Sequence, residues 1–555
     1  MKKIRFILVC TIITATSFTI SPSDDTAKLT WHASGNGGVV AAGPKESAQA
    51  GLDILARGGN AVDAAVAVIF NQAVSDYGMF SIGGEVPFMF YNNTTGNVLV
   101  YNGMGGAPLD QDAIDWYYEN GIPRNGIKSA TVPSAISTCM TALEQKGTMS
   151  FEQVIAPTLE LLDTDKESWY ANLAVTLQRL VETERTTPGR REEKIRAARD
   201  RFYKGDIADE LNDYYISSGG FLRKADLEAH KTIIEEPVSI QYRGYTVHKC
   251  DTWTQGPVLL QSLKLLENFD LRAMGDFSPD YVHTIAEAIK LAYADRDKYY
   301  GDPEFVHVPM KELLSDEYTK LRYPLIDKDH ANREIRPGNP IEIDALARPG
   351  EYLPGTGGTT TCVVVDRWGN MVAATPSSNP EYAIDENLGF ANNTRMSSLN
   401  TQKGHPNSLK PGKRPRITLT PTIVTKNGKP ILGMSVAGGD MQDQTTLQLL
   451  LDFIEFGKMP REAITSPRFR SYQMENSFIP DPDPTERIID IGLLGINETD
   501  QSVIDNLKTR GHEVTIIDGT IANPVMVYID QITGISYAAS QPREKRGKYS
   551  GALNK

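Results

Sequence analysis

A threonine that follows a glycine-rich segment is the residue with the clearest chemical possibility in this sequence. Gly355-Thr356-Gly357-Gly358 runs directly into Thr359, where a strand-like pattern begins. The hydroxyl of such a threonine can attack the preceding carbonyl, and hydrolysis of the resulting ester leaves Thr359 as a new N-terminus. Its α-amine, with a reference pKa of roughly 7.7–8.0, then serves as base for the hydroxyl. Gly-Gly-Thr is also common in ordinary turns, so spacing alone leaves both interpretations open.

A glycine pair supplies a second chemical feature. Gly438-Gly439 lies between a predicted strand at 431–436 and a predicted helix at 442–456. Backbone N–H groups at such a junction can stabilise a developing oxyanion, although a plain strand-to-helix turn has the same pattern. Ser435 lies close by in a sequence that approaches G-x-S-x-G but has one residue too many, so we do not favour it as a nucleophile.

The elements that must position these residues follow from periodicity and turn signals. Residues 39–74 are predicted to be helical, with a helix that starts at Pro44, a break at Gly58-Gly59, and a second helix capped by Asn60 and Asp63. Residues 130–330 have a mainly helical pattern. Two hairpins are predicted, one over 87–101 and one around Asn427-Gly428. The Pro- and Gly-rich stretch 337–358 between the two halves is predicted to be an exposed, mobile linker.

Composition restricts the class of protein. The chain has 555 residues, of which 40% are hydrophobic and 23% are charged, as is typical of a globular protein with a sizeable core. Acidic residues outnumber basic ones 70 to 57, so the chain lacks the basic surface that nucleic acid requires, and no nucleic-acid partner is expected. Lys2, Lys3 and Arg5 precede an apolar run over 6–20, which predicts an export signal at about 1–22 and a periplasmic or extracellular location.

Cysteine and histidine usage predicts neither a disulfide framework nor a metal centre. After removal of the signal, Cys139, Cys250 and Cys362 are widely spaced, and no sequence feature pairs them. The eight histidines are scattered, without HExxH or a Cys/His cluster. We therefore expect no metal and no cofactor.

Several short sequence blocks occur in a fixed order along the chain. They are Gly58-Gly59-Asn60-Ala61-Val62-Asp63-Ala64-Ala65-Val66-Ala67, Tyr242-Arg243-Gly244-Tyr245, Ala286-Glu287-Ala288-Ile289-Lys290-Leu291-Ala292-Tyr293-Ala294-Asp295-Arg296, Gly301-Asp302-Pro303, Thr359-Thr360, Lys413-Arg414-Pro415 and Thr420-Pro421-Thr422. In this order the blocks resemble the γ-glutamyltranspeptidase family of N-terminal-nucleophile hydrolases. The resemblance covers nearly the whole mature chain and is more specific than any single motif.

The resemblance implies a fold and a domain organisation. The expected fold is α/β, a four-layer α/β/β/α sandwich. It implies a heterodimer of two fragments cut from one precursor, a large subunit of 23–358 and a small catalytic subunit of 359–555 that interleave in one core. The expected partners are a small-molecule amide substrate and a water or amine acceptor.

The family's roles can be carried over residue by residue. Thr359 stands where the family has its nucleophile, and Gly358–Thr359 is the implied processing site. Ser377 and Asn379 stand where the family has a Thr and an Asn that orient the nucleophilic hydroxyl; a polar turn is the alternative interpretation. Gly438-Gly439 stands where the family has its oxyanion-hole glycines.

The substrate-binding positions depart from the family pattern. The family's Arg-Glu-Met-Ala-Pro block, whose Arg meets the substrate α-carboxylate, corresponds here to residues 102–108, which begin at Asn102 and contain no Arg. The substrate-binding Gln and Asp fall at about Arg395 and Ser398, and a Ser pair becomes Ile417-Thr418. Arg395 either meets a carboxylate from a new direction or is a solvated surface residue. The catalytic parts look retained, whereas amino-acid recognition looks rebuilt.

Three functions remain open at this point. The first is acyl transfer from γ-glutamyl compounds such as glutathione, through an acyl-enzyme on Thr359. The second is an amidohydrolase or acylase of the same family that acts on a non-glutamyl group, such as a dicarboxylic monoamide. The third is an uncut, inactive binding protein, which the intact set of catalytic positions disfavours.

Overall fold

In the computed structural model of this protein, the structure describes residues 29–341, 358–378, 384–488, 490–542 and 547–554. The strands of this part of the chain are β1 (His32–Gly35), β2 (Gly38–Ala42), β3 (Phe88–Tyr91), β4 (Val98–Asn102), β5 (Ile233–Glu235), β6 (Val238–Tyr242), β7 (Tyr245–Lys249), β8 (Cys362–Asp366), β9 (Met371–Ala374), β10 (Thr422–Lys426), β11 (Lys429–Ala437), β12 (Phe469–Ser471), β13 (Leu493–Asn497), β14 (Glu513–Ile517), β15 (Asn523–Ile529), β16 (Ser536–Ser540) and β17 (Tyr549–Leu553).

The α-helices of the described residues surround these strands. They are α1 (Lys45–Ala56), α2 (Ala61–Ser75), α3 (Gln111–Asn120), α4 (Ala135–Lys146), α5 (Phe151–Leu162), α6 (Tyr170–Thr186), α7 (Arg191–Lys204), α8 (Asp206–Ser217), α9 (Lys224–Ala229), α10 (Pro257–Leu266), α11 (Leu271–Met274), α12 (Pro279–Tyr299), α13 (Met310–Leu313), α14 (Asp316–Arg322), α15 (Gln442–Phe456), α16 (Pro460–Thr465), α17 (Pro484–Arg487) and α18 (Gln501–Thr509).

Two antiparallel sheets of seven strands form the centre of the molecule. One has the order β1-β16-β15-β11-β10-β7-β6 and the other the order β17-β2-β8-β9-β3-β4-β5. A smaller sheet, β12-β13-β14, lies apart from them. Each of the two large sheets contains strands from both sides of position 358; β2, for example, pairs with β17 and with β8.

Strand β8 shows how the layers are built. Its side chains alternate: Cys362 and Val364 pack with helices α1, α2 and α4, whereas Val363 and Val365 face the second sheet. The opposite face of the second sheet packs on α10, α12 and α15. A strand with helices on one face and a sheet on the other is apolar on both faces, and all of β8 is buried. This arrangement confirms the predicted four-layer α/β/β/α sandwich.

Several local predictions are confirmed. Asn60 and Asp63 form a capping box at the start of α2, and the Asp63 carboxylate accepts a hydrogen bond of 2.8 Å from the Asn60 N–H. Strands β3 and β4 form the first hairpin, and β10 and β11 form the second. The second hairpin turns through Asn427 and Gly428, whose φ angles of 52° and 71° match a type I′ turn.

Two predictions are wrong, and a third holds with one exception. Residues 38–42 form central strand β2 rather than part of a helix, because an apolar run of this length fits a strand buried on both faces equally well. Residues 130–330 are mainly helical as predicted, except that 233–249 forms strands β5, β6 and β7. Strands β5 and β6 are edge strands, and β7 pairs with β6 and β10. Residues 337–340 are largely buried rather than exposed; the Gly338 N–H donates to Asp295. Residues 342–357 lie outside the described residues.

Within the described part of the chain, no helix combines the length and the apolar character needed to cross a membrane. The predicted export signal lies outside the described residues. Cys139, Cys250 and Cys362 are all buried and unpaired.

Candidate active site

Thr359 lies just before β8, where the sheet's hydrogen bonding places it against a neighbouring segment. The Thr360 N–H donates to the Pro376 carbonyl over 2.9 Å, so the stretches around 359 and 377 run side by side. Thr359 is only 7% exposed. Gly358 packs closely behind it, and a Cβ on Gly358 would lie 3.2 Å from the Gly78 carbonyl oxygen.

The Ser377 hydroxyl forms hydrogen bonds with three other residues of the site. The Thr359 hydroxyl donates to Ser377 Oγ over 3.4 Å. Ser377 Oγ donates to the Gly358 carbonyl and accepts a hydrogen bond from Arg395 Nη2. Ser377 therefore contacts both the predicted nucleophile and the carbonyl of the predicted processing site.

Glu85 lies against Ser377 through the backbone. The Glu85 N–H donates to the Ser377 carbonyl over 2.9 Å, and the Ser377 N–H donates back over 3.0 Å. Gly84 permits this approach, since a Cβ there would lie 2.3 Å from the Ser377 carbonyl oxygen. The short bridge holds the two residues in register without a regular strand.

Arg395 is buried, which excludes the solvated surface interpretation. It lies in a 3₁₀-helix, Arg395–Ser398, and its Nε forms an ion pair with Glu85 Oε1; the two side chains are 2% and 0% exposed. Arg395 thus meets a carboxylate of the protein itself. Burial raises the pKa of Glu85 to about 7 against the opposing effect of the Arg395 charge. Its second oxygen, Oε2, has no hydrogen-bond partner among the described residues.

The glycine pair lies where it was predicted, between β11 and the 3₁₀ turn that leads into α15. Among the described residues, neither the Gly438 N–H nor the Gly439 N–H donates a hydrogen bond to the protein. Gly439 adopts a φ of +58°, and a Cβ at this position would lie 3.1 Å from the Phe478 ring. The Arg395 guanidinium lies over the same ring at 5.5 Å, so Phe478 connects the glycine pair to the Ser377 cluster.

Asp440, which follows Gly438-Gly439, fixes the turn through several hydrogen bonds. The Asp440 carboxylate accepts hydrogen bonds from the Ser477 N–H over 3.0 Å and from Arg296 Nη1. Tyr293 donates to the Asp440 carbonyl over 2.6 Å. Arg296 is fully buried, so this network fixes the backbone that carries Gly438 and Gly439.

Residues 102–108 pack tightly against neighbouring segments. Asn102 ends β4, is buried, and accepts a hydrogen bond from the Met104 N–H through its own side chain. A Cβ at Gly103 would lie 1.8 Å from the Val86 carbonyl oxygen, and one at Gly105 would lie equally close to the Val132 carbonyl oxygen. These two positions therefore admit no side chain, and the structure shows no contact between Asn102 and Thr359.

The other predicted substrate-binding residues are buried. Ser398 is 4% exposed, and its hydroxyl has no partner among the described residues. The Ile417 N–H donates to the Trp253 carbonyl, which fixes the backbone of the 417–418 segment. Thr418 Oγ1 is buried without a partner among the described residues. The structure connects Arg395 directly to the Thr359 cluster, whereas it shows no such contact for Ser398, Ile417 or Thr418.

Sequence reasoning missed two ionisable groups near the predicted nucleophile, Glu85, which contacts Ser377, and Lys548, which contacts Thr360. Lys548 Nζ lies 3.2 Å from both Asp76 Oδ2 and Thr360 Oγ1, and it is buried. Glu85 stands directly after the Gly83-Gly84 pair, and a charged residue in an apolar, Gly-rich stretch is a signal that could have been used. Lys548 carried no such signal. Asn379 lies outside the described residues, so its predicted role stays a prediction.

One cluster contains residue types that can bind a metal ion, but their ligand atoms already form hydrogen bonds and ion pairs within the protein. In the described ranges, His283, Glu287 and His512 lie within 4.8 Å of one another. His283 Nδ1 is 2.8 Å from His512 Nε2, and Glu287 pairs with Lys290 and Arg336. A divalent ion would have to displace these bonds.

A buried threonine before a strand of an α/β/β/α sandwich, with a serine on its hydroxyl and a glycine pair nearby, is the constellation of an N-terminal-nucleophile hydrolase. Comparison with known proteins defines the family. The model of the gamma-glutamyltranspeptidase family matches residues 47–164 and 168–551. The chain belongs to this family of hydrolases and transferases.

Relatives named for different activities support the assignment. A glutathione hydrolase proenzyme of Bacillus subtilis (strain 168) is 29% identical over 540 residues, which cover 90% of this chain and 89% of the relative. The structure of LmbA2991HD superimposes with a TM-score of 0.84 at 32% identity, over 93% of this chain and 98% of the other. The structure of cephalosporin acylase from Bacillus halodurans gives a TM-score of 0.77 at 25% identity, over 98% of this chain and 99% of the other.

Proposed function

We propose that this protein is an exported, self-processing acyl-transfer enzyme whose nucleophile is Thr359. The observation that carries the proposal is the pair of contacts made by Ser377, to the Thr359 hydroxyl and to the Gly358 carbonyl. Cleavage of the Gly358–Thr359 bond would give a large fragment of about 23–358 and a small fragment of 359–555. The proenzyme relatives support such processing.

In the processed enzyme, the chain's own groups account for acyl transfer. The free α-amine of Thr359 accepts the hydroxyl proton as Oγ1 attacks the substrate amide carbon, and the leaving amine takes up a proton as the amide bond breaks. The N–H groups of Gly438 and Gly439 stabilise the oxyanion. Water or an amine then accepts the acyl group from Thr359 and restores the free hydroxyl. Ser377 orients the nucleophile in both half-reactions.

The acyl donor is an amide, and amides of acyl groups without an α-amine are better substrates than γ-glutamyl amides. Residues 102–108 contain no Arg for an α-carboxylate, and positions 103 and 105 have no room for any side chain. Ser398 offers no charge to an α-ammonium group. Arg395 carries a charge beside Ser377, but Glu85 already offsets it. A dicarboxylic monoamide such as a glutaryl amide requires fewer of the missing contacts. The acylase among the structural relatives supports this direction.

A hydrolysis screen of the purified protein tests this function. The substrates are acyl anilides that include γ-glutamyl, glutaryl and neutral acyl groups, and a denaturing gel with intact mass measurement accompanies the assay. The expected result is two fragments, with Thr359 at the N-terminus of the smaller one, and release of aniline from at least one substrate. A single full-length chain without hydrolysis would instead support the alternative of an inactive binding protein.

A further inference from the structure

The hydrogen-bonding capacity of the Ser377 hydroxyl is fully used in the uncut chain. A serine hydroxyl has one donor and two acceptor sites. Here its proton points to the Gly358 carbonyl, and its two lone-pair sites receive the Thr359 hydroxyl and Arg395 Nη2. The donor and the acceptor of each of these three hydrogen bonds are therefore defined. Ser377 donates its only proton to the Gly358 carbonyl, which belongs to the peptide bond that is to be cut.

The hydrogen bond from Ser377 to the Gly358 carbonyl has a role in the chemistry of self-cleavage. Thr359 Oγ1 attacks the Gly358 carbonyl carbon, and the carbonyl oxygen becomes an oxyanion in the tetrahedral intermediate. The bond from that carbon to the Thr359 nitrogen then breaks, and the hydroxyl proton ends on this nitrogen as the amine. Water hydrolyses the resulting ester and releases the Gly358 carboxylate. A donor placed on the carbonyl before the attack stabilises the charge that develops on its oxygen.

We propose that Ser377 supplies the oxyanion donor for self-cleavage and that Arg395, held by Glu85, is the positioning residue that makes it effective. The inference rests on the proposed function, because it assumes cleavage before Thr359. A positive guanidinium on the Ser377 oxygen makes its proton a stronger donor. Arg395 also occupies a lone-pair site, which leaves the Ser377 proton free to point only at Gly358.

Glu85 supports this role from the opposite side. Its backbone bridge to Ser377 and its ion pair with Arg395 fix the serine and the guanidinium to the same residue. An unpaired guanidinium at 2% exposure would be costly to bury, so the carboxylate keeps it in place. The processing site is distinct from Gly438 and Gly439, which the proposed function assigns to substrate turnover.

The test is a time course of self-cleavage in the full-length chain, produced by cell-free translation and followed on a denaturing gel. Arg395→Met should slow cleavage by at least about tenfold. This loss is smaller than the roughly 10²–10³-fold loss caused by removal of a direct oxyanion donor, because Arg395 acts through Ser377. The matched control is Arg199→Met, which removes one arginine from the Glu144 carboxylate on outer helices while Arg196 remains. This control should be cleaved at the wild-type rate.

Two further readouts separate a role in the reaction from a structural one. Hydroxylamine cleaves an accumulated ester, so it should not accelerate the Arg395→Met chain if the slowed step is the attack on Gly358. Guanidinium at millimolar concentration should partly restore cleavage in Arg395→Ala. If hydroxylamine releases the fragments quickly, or if Arg395→Met is cleaved as fast as the wild type, the inference is wrong.

A folding failure of Arg395→Met would not end the test. The double variant Glu85→Gln/Arg395→Gln replaces the ion pair by two amides and leaves no unpaired buried charge. Slow cleavage in that folded chain supports the inference, and a wild-type rate overturns it. An absence of cleavage before Thr359 in the wild type would instead contradict the proposed function, so the two failures are distinguishable.

Discussion

Glu85 and Arg395 form a fully buried ion pair although 310 residues separate them in the sequence. One partner is held by the backbone of Ser377, and the other is bonded to the Ser377 hydroxyl. The pair therefore joins the N-terminal region to the C-terminal part of the chain at the side chain that contacts Thr359. Burial of two charges costs desolvation free energy, and this buried pair lies directly beside the residues proposed to carry out the reaction.

Thr359→Ala should yield one uncut chain with almost no hydrolytic activity. The same hydroxyl is required for self-cleavage and for turnover, so both are lost together. Thr359→Ser is the matched control, because it keeps a hydroxyl and should still be cut. Intact mass measurement and the anilide assay check both variants. Cleavage of the alanine variant at the same bond would remove Thr359 from its proposed role.

Gly439→Ala should reduce turnover far more than it reduces stability. The new Cβ meets Phe478 and disturbs an N–H group assigned to the oxyanion. Loss of such a donor in comparable sites costs about 10²–10³-fold in kcat. Gly428→Ala is the control, since its φ of +71° imposes the same backbone strain in an open hairpin turn. Both substitutions should cost about 1–2 kcal/mol in the free energy of unfolding. Equal kcat in the two folded, processed variants would place the oxyanion donors elsewhere.

The enzyme should prefer a glutaryl anilide to the γ-glutamyl anilide. Two charged contacts used for an amino-acid donor are absent, and each is worth about 1.5–3 kcal/mol. Their loss corresponds to roughly two to four powers of ten in kcat/KM. The measurement is kcat/KM for the two anilides on the same processed preparation. A strong preference for the γ-glutamyl compound would show that other residues rebuild the amino-acid clamp.

Glu85→Gln should change the pH dependence of stability in one direction. Burial raises the pKa of Glu85 from 4.5 to about 7, so the wild type loses stability as the pH rises through this interval, while the glutamine variant does not. The unfolding free energy of the variant relative to the wild type should therefore increase by about 1–3 kcal/mol between pH 5 and pH 8.

Denaturant unfolding in the uncut Thr359→Ala background measures this difference without dissociation of fragments. Glu228→Gln, at an exposed position, is the control, and its unfolding free energy relative to the wild type is measured over the same pH range. A difference for Glu85→Gln that stays constant from pH 5 to pH 8 would contradict the raised pKa.

Local sequence was sufficient where a structure depends on near neighbours. The capping box of Asn60 and Asp63, the turn at Asn427-Gly428 and helix α15 all follow from short patterns. The resemblance of many blocks supplied the layered fold and the position of Thr359. Apolar runs such as 38–42 were ambiguous, because a strand buried on both faces and a buried helix have the same composition.

The sequence by itself determined which residues could act as nucleophile and as oxyanion donors, because a hydroxyl after Gly-Gly and a glycine pair after a strand are local features. Only the tertiary structure decided what surrounds them. Arg395 was open to two interpretations until its burial and its pairing with Glu85 were known. The lack of space at Gly103 was equally invisible, because it depends on Val86 in the neighbouring segment. Electrostatics and steric exclusion depend on which distant segments are brought together, and a single sequence does not contain those distances.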